Sequence, residues 1–425
     1  MRIKLPYGQK KSELKLQQKN FLGMLEPKKV SPVHDPDTEV RRALAEPITG
    51  PRLLDRVRPN NKILIVVSDI SRPSPSHILL SPVLEELQAA GIEDKDITIV
   101  FALGIHRHQT EMEKIRLVGG HIYQRYRCIE HNTDDCVYAG TTSLGIRAEI
   151  LKEAMQADYI IATGNIEFHY FAGYSGGAKA VAPGLCSRAT ASANHSRFMH
   201  PGCRPGNIEG NSLRHELEEI ADMAGVDFIV NAVLNGKKEL LRVVAGDVRA
   251  AHRKGAQFLD RTARRIIDRQ ADIVVVSPGG YPKDIDLYQA HKAMEHALPA
   301  LKKNGILILA GQCAEGLGVP AFADVFDANP RPQDLAEELD HHFVQGRHIA
   351  CRIAAIHLKT PVYLVSGLPE RTRNKLFFPQ FTSIQTALDQ ALAEKGADSS
   401  VWIIPYGISV VPDYQPVSKR ENNSS

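Results

Sequence analysis

The stretch YIIATGNIEFHYFAGYSGGAKAVAPG, Tyr159–Gly184, decides the fold. It opens on a short apolar run, Tyr159–Ala162, and passes at once into glycines, aromatics, a histidine and a lysine. Such a run, without the alternation of a half-exposed strand, reads as a strand buried on both faces of a parallel sheet. Six more runs of this kind follow the same pattern: Ile63–Val67, Ile97–Leu103, Ile273–Val276, Ile306–Leu309, Val362–Val365 and Val401–Ile404. Amphipathic stretches such as His77–Ala90, His252–Gln270 and Ala290–Lys302 predict helices between many of them. Strands alternating with helices define an α/β protein with mainly parallel, Rossmann-like sheets.

With 425 residues the chain exceeds what one hydrophobic core supports, which predicts two domains. A boundary is expected at Arg264–Gln270, where a helix ends and ADIVVVSPGG starts a new βαβ series. This gives a first domain over 1–265 and a second over 270–395. By its pattern the stretch VWIIPYGISVVPDYQP fits either, and the polar tail Lys419–Ser425 reads as frayed. A balance of 52 basic against 49 acidic side chains is too even for a nucleic-acid surface. The opening MRIKLPYGQKKSELKLQ lacks the apolar run of a signal peptide, and no stretch approaches eighteen uninterrupted apolar residues. The expectation is a cytoplasmic protein with neither membrane nor nucleic-acid partner. Six scattered cysteines without a CxxC pair suggest neither a zinc ribbon nor a disulfide framework.

Ligands of open parallel sheets bind at the carboxyl ends of the strands, so the unusual residues matter there. After KILIVV comes SDISRPSP, which places Asp69 and Arg72 in a proline-stiffened loop. Arg72 suits a bidentate carboxylate or phosphate contact; the alternative is an Asp69 helix cap with Arg72 paired to it on the surface. After ITIVFALG stand His106 and His108, two apart and therefore expected on opposite faces, one inward and one exposed. In the opening stretch, Gly173, Gly176 and Gly177 allow close backbone approach, and their amides could cradle a phosphate. Lys179 then sits near a helix start, able to meet an anion or act as a nucleophile. GYSGGAKA has neither the Gly-Lys-Ser/Thr order of a Walker loop nor GxGxxG. His195 suits a nickel, zinc, iron or copper ligand, or is a metal-free histidine at a helix end. Tyr288, Gln289 and Lys292 fall within one turn, with Gln289 and Lys292 on one face; the alternative is a solvated helix start with Asp284 and Asp286 as first-turn acids.

Together the motifs KLPYG, SDxSRP at Ser68–Pro73, GxHR at Gly104–Arg107, FHYFAGYSGGxK at Phe168–Lys179, Asn194–His195 and YQAxK at Tyr288–Lys292 resemble the nickel-dependent lactate racemase family along nearly the whole chain. The resemblance implies an active site in the interdomain cleft and favours residues 400–425 crossing back to the first domain. It implies a nickel-pincer nucleotide, a pyridinium mononucleotide gripping nickel through two sulfurs and a ring carbon, attached covalently at Lys179 with His195 as the metal's protein ligand. Asp69, Ser71, Ser175, Gly176 and Gly177 would belong to the cofactor's surroundings, with Ser71 standing where relatives often carry Thr. His106 and His169 are implied as the acid/base pair, and Arg72, Gln289 and Lys292, supported by Tyr288, as the substrate's contacts. One histidine would take the hydroxyl proton while the α-hydrogen leaves as hydride to the cofactor, and the hydride would return to the opposite face of a 2-keto acid. The implied partners are a small 2-hydroxy acid, lactate by default, and cofactor-maturation enzymes. Competing readings are a zinc-dependent hydro-lyase or hydrolase and a non-catalytic nucleotide or hydroxy-acid binding protein.

Overall fold

The computed structural model describes residues 1–338, 344 and 346–416. The tail read as frayed, Lys419–Ser425, lies outside the described residues. The chain divides into two compact units, one of residues Val30–Arg261 and one of Met1–Lys29 with Thr262–Ser425.

In the unit Val30–Arg261 a six-stranded sheet runs in the order Leu240–Gly246, Val226–Leu234, Tyr159–Asn165, Ile63–Ser68, Ile97–Ala102, Arg127–Glu130. All neighbours are parallel except the first pair, a hairpin. Ile63, Ile65, Val67, Ile99 and Phe101 are buried in one continuous core with Leu79, Leu80, Val83 and Leu87 of the helix Ser76–Ala89. Each such side chain contributes about 1.5–3 kcal/mol by leaving water. From Ile63–Ser68 the chain builds outward through Ile97–Ala102 to one edge, then returns to Tyr159–Asn165 and builds to the other. The order therefore reverses between Ile63–Ser68 and Tyr159–Asn165, and the loops leaving their carboxyl ends carry Asp69, Arg72 and the Glu167–Lys179 segment. A topological switch point of this kind is where open α/β sheets leave a crevice for ligands.

The other unit holds an all-parallel sheet in the order Gln380–Phe381, Val362–Val365, Leu301–Ala310, Ala271–Val276, Val401–Ile404, Phe21–Met24. Its core joins Ile273, Val275, Ile306, Ile308, Val401 and Ile403 to Ala387, Leu388 and Ala391 of one covering helix and to Leu5 and Leu14 of the N-terminal hairpin.

All seven apolar runs are strands, and two domain expectations are corrected. The first 29 residues belong with the later part of the chain, because Phe21–Met24 pairs in parallel with Val401–Ile403. Val401–Ile404 also pairs with Ala271–Val276, so this stretch finishes the second sheet and does not cross back. Two helix expectations run too far: the helix Val248–Ala263 gives way to a strand, Arg264–Ile267, paired with Val411–Tyr414, and Leu287–Ala297 ends before the strand that contains Lys302. In both places the chain is turned by pairing with distant strands, which overrides local helical pattern.

Candidate active site

The loop after Ile63–Ser68 is held by its own aspartate. Asp69 Oδ1 accepts from the Ser71 N–H at 2.6 Å, and Asp69 Oδ2 lies 2.6 Å from Nδ1 of His106 on the neighbouring loop. The following helix starts at Pro75 without a side-chain cap, so the helix-cap reading of Asp69 is set aside. Asp69 is 4% exposed. Burial opposes its ionisation, but His106, Arg72 and Ser71 outweigh burial and hold the carboxyl below its usual range. A carboxylate only accepts, so the proton of this bond sits on His106 Nδ1 and the lone pair of the neutral ring on Nε2. Gln109 ties the two loops together: its Oε1 accepts from Ile70 N at 2.9 Å, and its own N–H donates to Glu130 at 2.8 Å. His106 turns toward Asp69 yet stays exposed, and His108 is exposed beside Glu130, so the expected split into one inward and one exposed histidine is not found.

After Tyr159–Asn165 the chain makes a tiny hairpin, Phe168–His169 with Gly173–Tyr174, and one turn of 3-10 helix, Gly177–Ala180, that presents Lys179. Phe171 is the hub of this segment. Its ring meets His169 edge-on at 4.4 Å and His195 at 5.2 Å between centroids, and Lys179 Nζ lies 5.7 Å from its centre. Burial, then the like charges of Arg72 and Arg214, bring the Lys179 amine down to about 7. Nδ1 of His169 accepts from the Ala172 N–H at 3.2 Å, which puts the proton of the neutral ring on Nε2. His195, at the end of the helix Arg188–His195, has Nδ1 2.6 Å from the Ala191 carbonyl. A carbonyl only accepts, so the lone pair of His195 is on Nε2.

The glycine loop is fixed from beneath, and this corrects one expectation. Gly177 N–H donates to Asn231 Oδ1 at 2.7 Å, and Ser175 Oγ donates to Asn165 O at 2.8 Å while accepting from Glu167 N at 3.0 Å. The Gly177 amide is thus committed to Asn231 within the loop, which removes it from the predicted phosphate cradle of the Gly173, Gly176 and Gly177 amides. Gly176 and Gly177 have φ of 75° and 58°, and a Cβ would strike Asn231 Oδ1 at 2.6 Å or His252 Cδ2 at 2.9 Å. Glycine is required here by packing. Arg214, fully buried, reaches Tyr174 O at 3.3 Å and donates to Glu218 at 2.9 Å and to His252 Nδ1 at 3.1 Å; His252 Nε2 in turn lies 2.9 Å from Ser175 O. Burial and the Arg214 charge hold His252 well below its usual range, so it is neutral. The sequence left Phe171, Arg214, Asn231 and His252 without roles: Arg214 and His252 sit in helical stretches where they read as polar-face residues, and only tertiary contact sets them under the loop.

Thus Asp69, Ser71, Arg72, His106, His169, Lys179 and His195 come from loops and a helix end of one unit. Tyr288, Gln289 and Lys292 lie in the other, on the helix Leu287–Ala297, whose N-cap Asp286 accepts from Gln289 N. Lys292 Nζ donates to Gln289 Oε1 at 2.7 Å, which agrees with their predicted common face.

A nickel-pincer nucleotide fits two of these groups. An imidazole with its lone pair on Nε2 suits a metal, and an amine near 7 has a large neutral fraction for covalent attachment.

An α/β chain with histidines, an activated lysine and an arginine at a switch point is a member of an enzyme class, and sequence comparison names the family. A family model of the lactate racemase N-terminal domain matches residues 7–206, and one of the lactate racemase C-terminal domain matches residues 266–412. The chain belongs to the lactate racemase family. It is 32% identical over 421 residues to the lactate racemase of Thermoanaerobacterium thermosaccharolyticum, covering 96% of this chain and 98% of that one. It is likewise 32% identical over 424 residues to that of Lactiplantibacillus plantarum, covering 96% and 99%. The lactate racemase apoprotein structure from T. thermosaccharolyticum superposes with a TM-score of 0.88 at 30% identity, over 97% of this chain and all of that one. A Thermotoga maritima protein structure at 17% identity shares the fold, with a TM-score of 0.64 over 89% of this chain and 98% of that one.

Proposed function

We propose that the protein racemises small 2-hydroxy acids, lactate first among them, with a nickel-pincer nucleotide held by Lys179 and His195. The observation that carries this reading is the buried Asp69 carboxylate bonded to His106 beside Arg72. The Arg72 fork takes the substrate carboxylate in a bidentate pair. His106 Nε2 accepts the hydroxyl proton, and Asp69 compensates the positive charge that the ring acquires. When bound, the nucleotide supplies the hydride acceptor for the α-hydrogen. His169 serves the other enantiomer. With its proton on Nε2, the neutral His169 ring can take a second proton only at Nδ1, which requires release of the Ala172 N–H. Gln289, Lys292 and Tyr288 are assigned to the substrate's carboxylate and hydroxyl on the resemblance alone.

Ser71 and Gly176 are assigned to the cofactor's surroundings on the same basis. The cofactor requires maturation enzymes as partners, and the protein is assigned to the cytoplasm. Among the described residues no helix is long and apolar enough to cross a membrane. No observation favours the zinc reading: among the described residues no three His, Cys, Asp or Glu side chains converge as a metal site.

The test is production with cofactor-maturation enzymes, followed by nickel analysis, the mass of the Lys179 peptide and a chiral assay over a panel of 2-hydroxy acids. Stoichiometric nickel, a mass increment at Lys179 and racemisation of at least one acid are expected. Loaded protein that racemises none of them overturns the proposal. His106→Ala and His169→Ala should each abolish turnover with nickel retained.

A further inference from the structure

Nδ1 of His106 has two neighbours on the loop Asp69–Arg72, Asp69 Oδ2 at 2.6 Å and the Ser71 hydroxyl at 3.5 Å. A carboxylate only accepts, so the bond to Asp69 requires the proton on Nδ1 and leaves the lone pair on Nε2. A hydroxyl also donates, and a bond from Ser71 needs a bare Nδ1, which puts the proton on Nε2. The two distances differ by 0.9 Å, so the placement of one loop against the other selects the tautomer.

That placement is held from outside the pair. The His106 ring is exposed, so packing does not fix it. Of the amides at Ile70, Ser71 and Arg72, two are met within the loop, Ser71 N by Asp69 Oδ1 and Arg72 N by Asp69 O at 3.1 Å. The third, Ile70 N, directly beside Asp69, donates across to Gln109 Oε1 at 2.9 Å. Gln109 lies three residues past His106 on the same loop and is only 7% exposed. Its own N–H is fixed to Glu130 Oε1 at 2.8 Å, at the end of the next strand, and Thr110 directly after it forms a capping box with Glu113. Its Nε2 has no hydrogen-bond partner among the described residues, so the side-chain amide acts through its oxygen alone. The amide next to Asp69 is therefore clamped to a residue of the His106 loop whose main chain is itself anchored.

We propose that Gln109 is a positioning residue for the reaction: by holding Ile70 N it sets the Asp69 loop against His106 and selects the tautomer that leaves the Nε2 lone pair for the substrate. Its bearing on turnover rests on the racemase reading; its control of the tautomer does not. Gln109→Met keeps the length of the side chain and removes the acceptor. The Asp69 loop then loses its tie to the His106 loop, and Ser71 competes for Nδ1. Gln109→Glu keeps an acceptor at the same reach and should leave His106 as it is in the parent.

The experiment reads the His106 ring by proton–nitrogen NMR of the full-length apoprotein carrying isotope-labelled histidine, at a pH of about 9, well above the ordinary histidine value. His106→Ala identifies its signals. The parent and Gln109→Glu should show a protonated Nδ1 and a bare Nε2, and Gln109→Met a mixture of the two tautomers. Should Gln109→Met fail to fold by circular dichroism, Gln109→Asn, one methylene too short to reach Ile70 N, takes its place. In cofactor-loaded protein Gln109→Met should lower kcat by about tenfold to a hundredfold, as small misplacements of reacting groups do. Added to Asp69→Asn it should cost about twofold or less, because the contact it serves is already lost. A merely structural glutamine would lower both backgrounds alike and leave the tautomer unmoved. A His106 ring still wholly protonated on Nδ1 in Gln109→Met, a mixture in Gln109→Glu, or an equal loss in both backgrounds overturns the proposal. Loaded protein that racemises nothing, with the tautomer shifted in Gln109→Met, refutes the racemase reading and leaves the tautomer control in place.

Discussion

His106 Nδ1 and Asp69 Oδ2 stand 2.6 Å apart on loops from adjacent strands, and this contact fixes which nitrogen of His106 faces a substrate. Asp69→Asn keeps the shape but offers an amide donor that turns the ring to the wrong tautomer. The kcat should fall by about a hundredfold or more with little change in KM, since loss of tautomer control is costly in histidine catalysis. A steady-state assay of loaded protein checks this. Asp69 also makes a signed prediction for stability. Its folded pKa lies below the unfolded value of about 3.9, so its contribution is complete above that pH and lost as pH falls through the folded value. Acid unfolding of Asp69→Asn should therefore lack that part of the slope.

Lys179 should be the most reactive lysine of the apoprotein at neutral pH. An amine held at about 7 is protonated and slow below that value and free above it, whereas ordinary lysines titrate at about 10.4. Reductive methylation followed by peptide mass analysis should show half-maximal labelling of Lys179 near pH 7. Arg72→Gln removes a like charge and should move that midpoint upward. A midpoint near 10 in the parent protein would contradict the assignment.

His195→Ala should separate metal from tether. Nickel content is expected to drop by about tenfold or more, as for the loss of a direct ligand, while the organic mass increment on Lys179 persists. Metal analysis and intact mass on one preparation give both readings. Nickel retained in full would remove His195 from the coordination sphere.

Beneath the glycine loop, Arg214→Met leaves His252 Nδ1 and the Tyr174 carbonyl without their buried donor, while Glu218 keeps Arg253. Leaving buried acceptors unmet in this way costs about 1–3 kcal/mol, readable as a lower urea midpoint. Ser175→Ala, which removes two bonds of one hydroxyl, should cost about 1–2 kcal/mol. An Arg214→Met midpoint equal to that of the parent would show that the network does not hold the loop.

The strands that carry the site were legible because each is a short Val- and Ile-rich run buried on both faces, which leaves a pattern in the sequence. The strand Phe21–Met24 was not, since a four-residue edge strand pairs with Val401–Ile403 and nothing local records its partner. The same blindness misplaced the stretch Val401–Tyr414. Loop chemistry was legible as residue type: a lysine among glycines, a histidine after a strand, an arginine between prolines. Its hydrogen bonds were not: no local pattern records that Glu167 and Asn165 engage the Ser175 hydroxyl or that Asn231 takes the Gly177 N–H.

The sequence by itself determined the α/β class, the sites at strand ends and the family, because burial and motif order are properties of neighbouring residues. Tertiary structure alone decided that Asp69 orients His106, that Phe171 gathers His169, Lys179 and His195, and that Arg214 and His252 brace the loop. Those relationships join residues up to 77 positions apart, such as Ser175 and His252, and a hydrogen bond depends on distance and direction in space, which no local pattern encodes.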